Sequence, residues 1–186
     1  MYNGQRAMAV YCGHRFGNNP NFKNDAEKLG KLMAENQIHL IYGAGNVGLM
    51  GTVASAVMDH GGQAVGITTP HVLAKQEPVL EGIESETTNN INERKTRMIE
   101  LADAFCIVPG GIGTLNELTD IMTMHQVGEF AKPIYFLNTD GYWNMFGVVL
   151  KHMIREGFVR SQDEYNMHIL HSPEEIIHLY NSRFFK

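Results

Sequence analysis

Pro109-Gly110-Gly111-Ile112-Gly113-Thr114 places three glycines and a hydroxyl between an apolar run and a helical pattern. Glycine admits positive φ and removes the side chains that would keep a ligand off the backbone. The unpaired N–H groups of a helix start, with the helix dipole, favour an anion. Phosphate is the natural guest, and Thr114 adds a hydroxyl. A tight strand-to-helix turn with no ligand has the same spelling. No Gly-Lys-Ser/Thr follows, so the loop is not a P-loop, and the glycine spacing is not that of the dinucleotide fingerprint.

A second glycine run, Tyr42–Gly51, does spell G-x-G-x-x-G with Gly43, Gly45 and Gly48. A dinucleotide site also requires an acidic residue about 20 positions on, at the end of the next strand. That strand ends Gly66-Ile67-Thr68-Thr69-Pro70, without an acid, which counts against a nicotinamide cofactor. Close approach of backbone to a nucleotide remains open. Glu117 has two readings. Thr114-Leu115-Asn116-Glu117 fits a T-x-x-E capping box, in which the carboxylate closes its own helix. The same carboxylate also lies beside any phosphate bound at the loop. Arg94 shares a helix face with Met98 and Leu101, whereas Glu93 and Arg97 form an i, i+4 pair on another face and, with Glu100, read as solvated. A guanidinium heading an apolar stripe calls for an anionic partner, and phosphate or Glu117 would serve. The nine histidines offer only His168 and His171 as a close pair, with no third metal ligand nearby. Tyr142 and Trp143 open an amphipathic helix and read as packing anchors.

The elements that must hold these residues alternate. Apolar runs at Ala7–Gly13, His39–Gly45, Gln63–Thr69, Ile83–Thr88, Ala104–Pro109 and Pro133–Asn138 read as strands. Helical patterns cover Asn21–Asn36, Val47–His60, Asn92–Ala102, Thr114–Val127 and Tyr142–Gly157, and a last helix follows Ser172-Pro173. Pro70–Gly82 reads as a loop region. Continuously apolar strands alternating with helices predict an α/β, Rossmann-like three-layer sandwich, with a mostly parallel sheet of about 6–7 strands covered on both faces. Ligands of such sheets bind beyond the carboxyl ends of the strands, where both glycine runs fall. The 186 residues, without repeat or linker, predict one nucleotide-binding domain over residues 1–186. A net charge of −5 argues against a general grip on nucleic acid. No apolar run reaches about 18 residues, so no membrane partner is expected. The opening MYNGQRAMAV lacks signal-peptide architecture. Cys12 and Cys106 sit in apolar runs, without zinc-site spacing. A soluble cytoplasmic protein is the expectation.

Taken together, the motifs resemble the "lonely guy" (LOG) family of cytokinin riboside 5′-monophosphate phosphoribohydrolases, whose members often carry an older lysine decarboxylase label. The P-G-G-x-G-T-x-x-E signature is matched by Pro109, Gly110, Gly111, Gly113, Thr114 and Glu117, and an upstream E-R-K by Glu93, Arg94 and Lys95. The G-G-G-N-x-G-L-M-G turn is matched from Gly43 to Gly51, with Ala44 for the middle glycine. A K-P strand with N-x-D-G-Y is matched by Lys132-Pro133 and Asn138-Thr139-Asp140-Gly141-Tyr142. The resemblance spans roughly residues 8–160. It implies a homodimer that hydrolyses the N-glycosidic bond of adenine-type nucleoside 5′-monophosphates to free base and ribose 5-phosphate. It also implies Arg94 and Glu117 as the catalytic pair, no metal and no organic cofactor. The implied nucleotide site holds Gly43, Gly45, Asn46, Met50, Lys95, Gly110, Gly111, Gly113 and Thr114.

Such a reaction builds positive charge on the ribose, as in glycoside hydrolysis, and a nearby carboxylate would stabilise it. Several positions depart from the family pattern. Cys12-Gly13-His14-Arg15 stands where C-G-S-S is usual, Ile91-Asn92 where Met-His precedes E-R-K, and Met124-His125-Gln126-Val127 where W-x-Q-L is usual. They bear on the base, so AMP stands beside prenylated nucleotides as a candidate substrate. The alternative is a non-catalytic nucleotide or molybdenum-cofactor carrier of the same fold. An intact Arg94 and Glu117 favours the enzyme. Lysine decarboxylation would need a Schiff-base lysine for pyridoxal phosphate, and nothing in the sequence marks one.

Overall fold

In a computed structural model, residues 2–74 and 79–184 are described. Seven parallel strands form one sheet: β1 (Ala7–Tyr11), β2 (His39–Tyr42), β3 (Ala64–Thr68), β4 (Glu84–Thr87), β5 (Ala104–Ile107), β6 (Ile134–Leu137) and β7 (Met167–Leu170). Their order is β4-β3-β2-β1-β5-β6-β7. Growth of the sheet therefore reverses at β1, which pairs with β2 on one side and β5 on the other. Val10 stands beside Cys106 and Tyr11 beside Ile107, so β1 and β5 end level with each other. The crevice beyond that reversal is where open α/β sheets bind ligands.

The helices are α1 (Pro20–Glu35), α2 (Gly48–Asp59), α3 (Pro70–Leu73), α4 (Ile91–Leu101), α5 (Ile112–Gln126), α6 (Asn144–Arg155) and α7 (Pro173–Asn181). The sheet buries both faces, which explains the continuously apolar strands. Met8 and Val10 of β1 face the core shared with α1, α2 and α7, where Leu29, Met33, Val53 and Ile176 pack. Their neighbours Ala7, Ala9 and Tyr11 face the opposite core, with Met98 of α4, Leu118 and Ile121 of α5 and Leu150 of α6. The expected α/β sandwich is thus found, and all of its strand pairs are parallel.

The apolar pattern marks no strand at β7 and misplaces two helix starts, α5 and α6, the latter beginning at Asn144 and not Tyr142. β7 is an edge strand with partly exposed residues, so Met167-His168-Ile169-Leu170 lacks the apolar strength of the inner strands. His168 sits in that strand with its ring against Tyr135, centroids 5.6 Å apart. α5 begins at Ile112, not Thr114, and its N-cap is Gly111. The loop region after Pro70 opens with the four residues of α3, and residues 75–78 of that reading lie outside the described residues. Among the described residues no helix is long and apolar enough to cross a membrane.

Candidate active site

A cavity of about 510 Å³ opens at the β1/β5 reversal. Its floor includes Cys12 and Gly13, which follow β1, and Pro109 and Gly110, which follow β5. Gly13 joins three elements. Its N–H donates to the Pro109 carbonyl at 3.0 Å, and its carbonyl accepts from the N–H groups of Leu49 and Met50 at 3.1 and 3.3 Å. The start of α2 is thereby tied to the end of β1.

The start of α5 forms one wall. Among the described residues, no hydrogen bond from the backbone N–H groups of Gly110, Gly111, Ile112, Gly113 or Thr114 is found. No side chain caps this helix. A Cβ on Gly110 would come within 2.1 Å of the Thr114 hydroxyl, so only glycine lets the loop close over that side chain. The result is a run of bare donors at the positive end of a fifteen-residue helix.

Arg94 and Glu117 meet across the cavity from α4 and α5, Nη1 to Oε1 at 3.4 Å. Both side chains are largely buried, at 9% and 15% exposure. The Arg94 Nε donates to the Ile67 carbonyl at 2.8 Å, which anchors the guanidinium at the end of β3. Gly43 leaves it room: a Cβ there would lie 2.1 Å from Nη2. Burial pushes the Glu117 carboxyl up to about 6, against the opposing pull of Arg94 and Lys95. A carboxyl of that kind is a poised proton acceptor near neutral pH.

Comparison with known proteins decides what this arrangement belongs to. Residues 50–180 match the family described as "Possible lysine decarboxylase". The rice protein "Cytokinin riboside 5'-monophosphate phosphoribohydrolase LOG" is 39% identical over 157 residues, 83% of this chain and 64% of its own length. LOG7 of Arabidopsis thaliana, of the same named activity, is 39% identical over 155 residues, 83% of this chain and 71% of its own. The chain belongs to the LOG family. It matches about two thirds of the length of those plant relatives. Two solved structures share its fold. The molybdenum cofactor binding protein of Rippkaea orientalis superimposes with a TM-score of 0.72 at 22% identity, covering 97% of this chain and 98% of that one. The molybdenum cofactor carrier protein of Chlamydomonas reinhardtii gives 0.71 at 16% identity, covering 98% and 99%.

The LOG-type residues fall into two groups. Met50, Arg94, Gly110, Gly111, Gly113, Thr114 and Glu117 line the one cavity. Gly43 stands behind Arg94, and Gly45 is buried off the cavity wall. Asn46 borders a separate groove between α1 and α2. Lys95 pairs with Asp120 and donates to Asn116 at 3.0 Å, both on α5 and outside the cavity lining. His14 and Arg15 line the mouth and are exposed.

Three local expectations need correction. Glu117 does not cap α5, because that helix starts at Ile112 and Thr114 is already inside it. A self-capped start of this kind lies instead at α4, with Asn90 as N-cap. Asn90 accepts from the N–H groups of Asn92 and Glu93, and Glu93 accepts from Asn89 N–H at 3.1 Å. The second is the Glu93–Arg97 pair, which is not found among the described residues: Glu93 is exposed but bound to its own helix start, and Arg97 pairs with Glu86 of β4 at 2.8 Å. The third concerns Tyr142, which lies before α6, is 40% exposed and lines the cavity with Phe16, Phe22 and Val72. Its signal was available in N-x-D-G-Y, where an aromatic follows a turn at the carboxyl end of a strand.

Proposed function

We propose that this chain hydrolyses the N-glycosidic bond of adenine-type nucleoside 5′-monophosphates, AMP or its cytokinin-type derivatives, to free base and ribose 5-phosphate. The observation that carries the reading is the buried Arg94–Glu117 pair, set in one cavity with the bare donors of α5. The plant relatives are named for this activity on cytokinin riboside 5′-monophosphates.

In this reading the 5′-phosphate sits on the N–H groups from Gly110 to Thr114, which leaves the ribose near Glu117. Binding energy from the phosphate, remote from the reacting bond, positions that bond. As the C1′–N bond breaks, its electron pair leaves with the base, which takes up a proton. The Glu117 carboxylate stabilises the developing ribosyl cation and accepts a proton from the water that attacks C1′. Arg94 holds the carboxylate ionised and in place. Gly43, Gly45, Asn46 and Lys95 act from outside the cavity lining, by shaping the α2 turn and fixing α4 against α5.

Among the described residues no lysine lines the cavity, so its walls do not fit a pyridoxal Schiff base. The whole chain acts as one nucleotide-binding domain. Its two cysteines, free and buried, suit a cytoplasmic setting. A homodimer would cover the apolar strip of α6, where Met145 is 71% exposed and Val148, Val149 and Met153 are also open beside α5.

The test is direct. Purified protein is incubated with AMP and with N6-isopentenyl-AMP, without added cofactor, and free base is measured by chromatography. Release of base from either is the expected result. Nucleotide binding with no base released from either would replace the enzyme with a carrier.

A further inference from the structure

The geometry points to Tyr142 as a positioning residue that keeps the phosphate cradle open by holding the Gly110–Gly111 peptide against flipping. The inference rests on the proposed phosphate site at α5 and deepens it. A peptide between two glycines is the easiest in a chain to turn over, because neither side restricts φ or ψ. Were it to turn, the Gly110 carbonyl would enter the cradle and repel an anion. In the structure that carbonyl accepts the Tyr142 hydroxyl. Carbonyl and N–H point to opposite sides of a trans peptide, so holding Gly110 C=O also fixes the direction of Gly111 N–H. The preceding carbonyl, Pro109, is held in the same way by Gly13 N–H at 3.0 Å. Both carbonyls before the cradle are thus occupied, and both following N–H groups are left bare.

Tyr142 is itself braced. Its ring meets Phe22 edge-on, with centroids 5.3 Å apart, and Trp143 at 5.0 Å. The turn before it is tied to α1 through Asp140, which accepts from Asn19 and Asn21 at 2.7 and 2.8 Å. The hydroxyl therefore reaches Gly110 from a scaffold outside the phosphate loop. Trp143, the neighbouring aromatic, is buried in the core and cannot substitute.

Tyr142→Phe removes the hydroxyl and keeps the ring contacts. Titration calorimetry with ribose 5-phosphate, and separately with adenosine, reads the effect. We expect binding of ribose 5-phosphate to weaken about fivefold, the size of one neutral hydrogen bond, while adenosine binding is unchanged. Equal losses for both ligands would reveal general loosening and overturn the inference, as would unchanged binding of ribose 5-phosphate. In the wild-type chain the Gly111 amide resonance should shift on titration with ribose 5-phosphate, and a stationary resonance would also overturn it. These readouts do not depend on turnover. Wild-type base release with no Tyr142 effect removes this inference alone, whereas loss of base release removes the enzymatic reading alone.

Discussion

The two helices that bring Arg94 and Glu117 into the cavity, α4 and α5, use the donors at their starts in opposite ways. At α4 the Asn90 and Glu93 side chains turn back onto the helix start. Asn90 takes the N–H groups of Asn92 and Glu93 at 3.0 Å each, and Glu93 takes the Asn89 N–H and both asparagine side-chain amides. At α5 the N-cap is Gly111, which has no side chain to offer, and the glutamate lies past the first turn. The two carboxylates diverge accordingly. Hydrogen bonds from Asn89 hold Glu93 below its ordinary range, whereas burial lifts Glu117 to about 6. A helix start that satisfies itself is structure, and one left bare is available to a ligand.

Exchanging each carboxylate for its amide is the strongest way to break that contrast. Glu117→Gln should lower kcat at least about a hundredfold while ribose 5-phosphate still binds, because proton acceptance is lost and the cradle is not. Glu93→Gln should keep kcat near wild type. Similar kcat losses in both variants would mean that the two glutamates do not have separate roles.

The pH profile sharpens the same pair. The Glu117 carboxyl ionises as pH rises through about 6, so kcat/KM should climb through that value and level above it. Glu93→Gln should leave this inflection in place. Stability should move the other way. The folded chain holds the Glu117 proton more tightly than the unfolded one, whose carboxyl titrates near 4.5. That contribution is full below about pH 4.5 and fades as pH rises through about 6. Thermal melts of Glu117→Gln across this window should lack that component of the slope, and an unchanged slope would assign it elsewhere.

Converting α5 into an α4-like start is a subtler intervention. Nothing lies within 4 Å of a Cβ built on Gly111, and its φ of −100° suits any residue. Gly111→Asn should therefore fold and give α5 a side-chain cap, for a gain of only a few tenths of a kcal/mol over glycine. The carboxamide oxygen would then occupy the donors that the phosphate needs, and KM for the monophosphate should rise about tenfold. An unchanged KM would show that the bare N–H groups are not the phosphate site.

Much of this contrast was legible in the residue order, but not its assignment. Continuous apolar strands and the two glycine runs were enough for a parallel α/β sandwich, and a cavity does open beyond the strand ends. Arg94 at the head of an apolar stripe correctly demanded an anionic partner, and Glu117 is that partner. Of the two readings of Glu117 the cap is the one that fails, and the self-capped glutamate is Glu93. T-x-x-E and N-x-x-E both satisfy the pattern, and only the backbone decides where a helix begins. At α5 the glycines let the helix start three residues before the T-x-x-E reading required, which freed Glu117. The N-x-D-G-Y turn marks Tyr142 at a strand end but does not show what its hydroxyl holds. Its hydroxyl reaches Gly110 from 32 positions away, and no local pattern reports such a contact.

The smallest effect belongs to the self-satisfied start. Asn90→Ala deletes the acceptor for two N–H groups of α4 and should cost about 1 kcal/mol of stability, read as an earlier midpoint in denaturant. The ion pair should survive it, because the Arg94 guanidinium is anchored by the Ile67 carbonyl of β3, not by the cap. Retained kcat alongside lowered stability is therefore the outcome that keeps the two starts distinct. A large fall in kcat would mean that the α4 cap also sets the position of Arg94, and the division between a structural and a functional helix start would have to be given up.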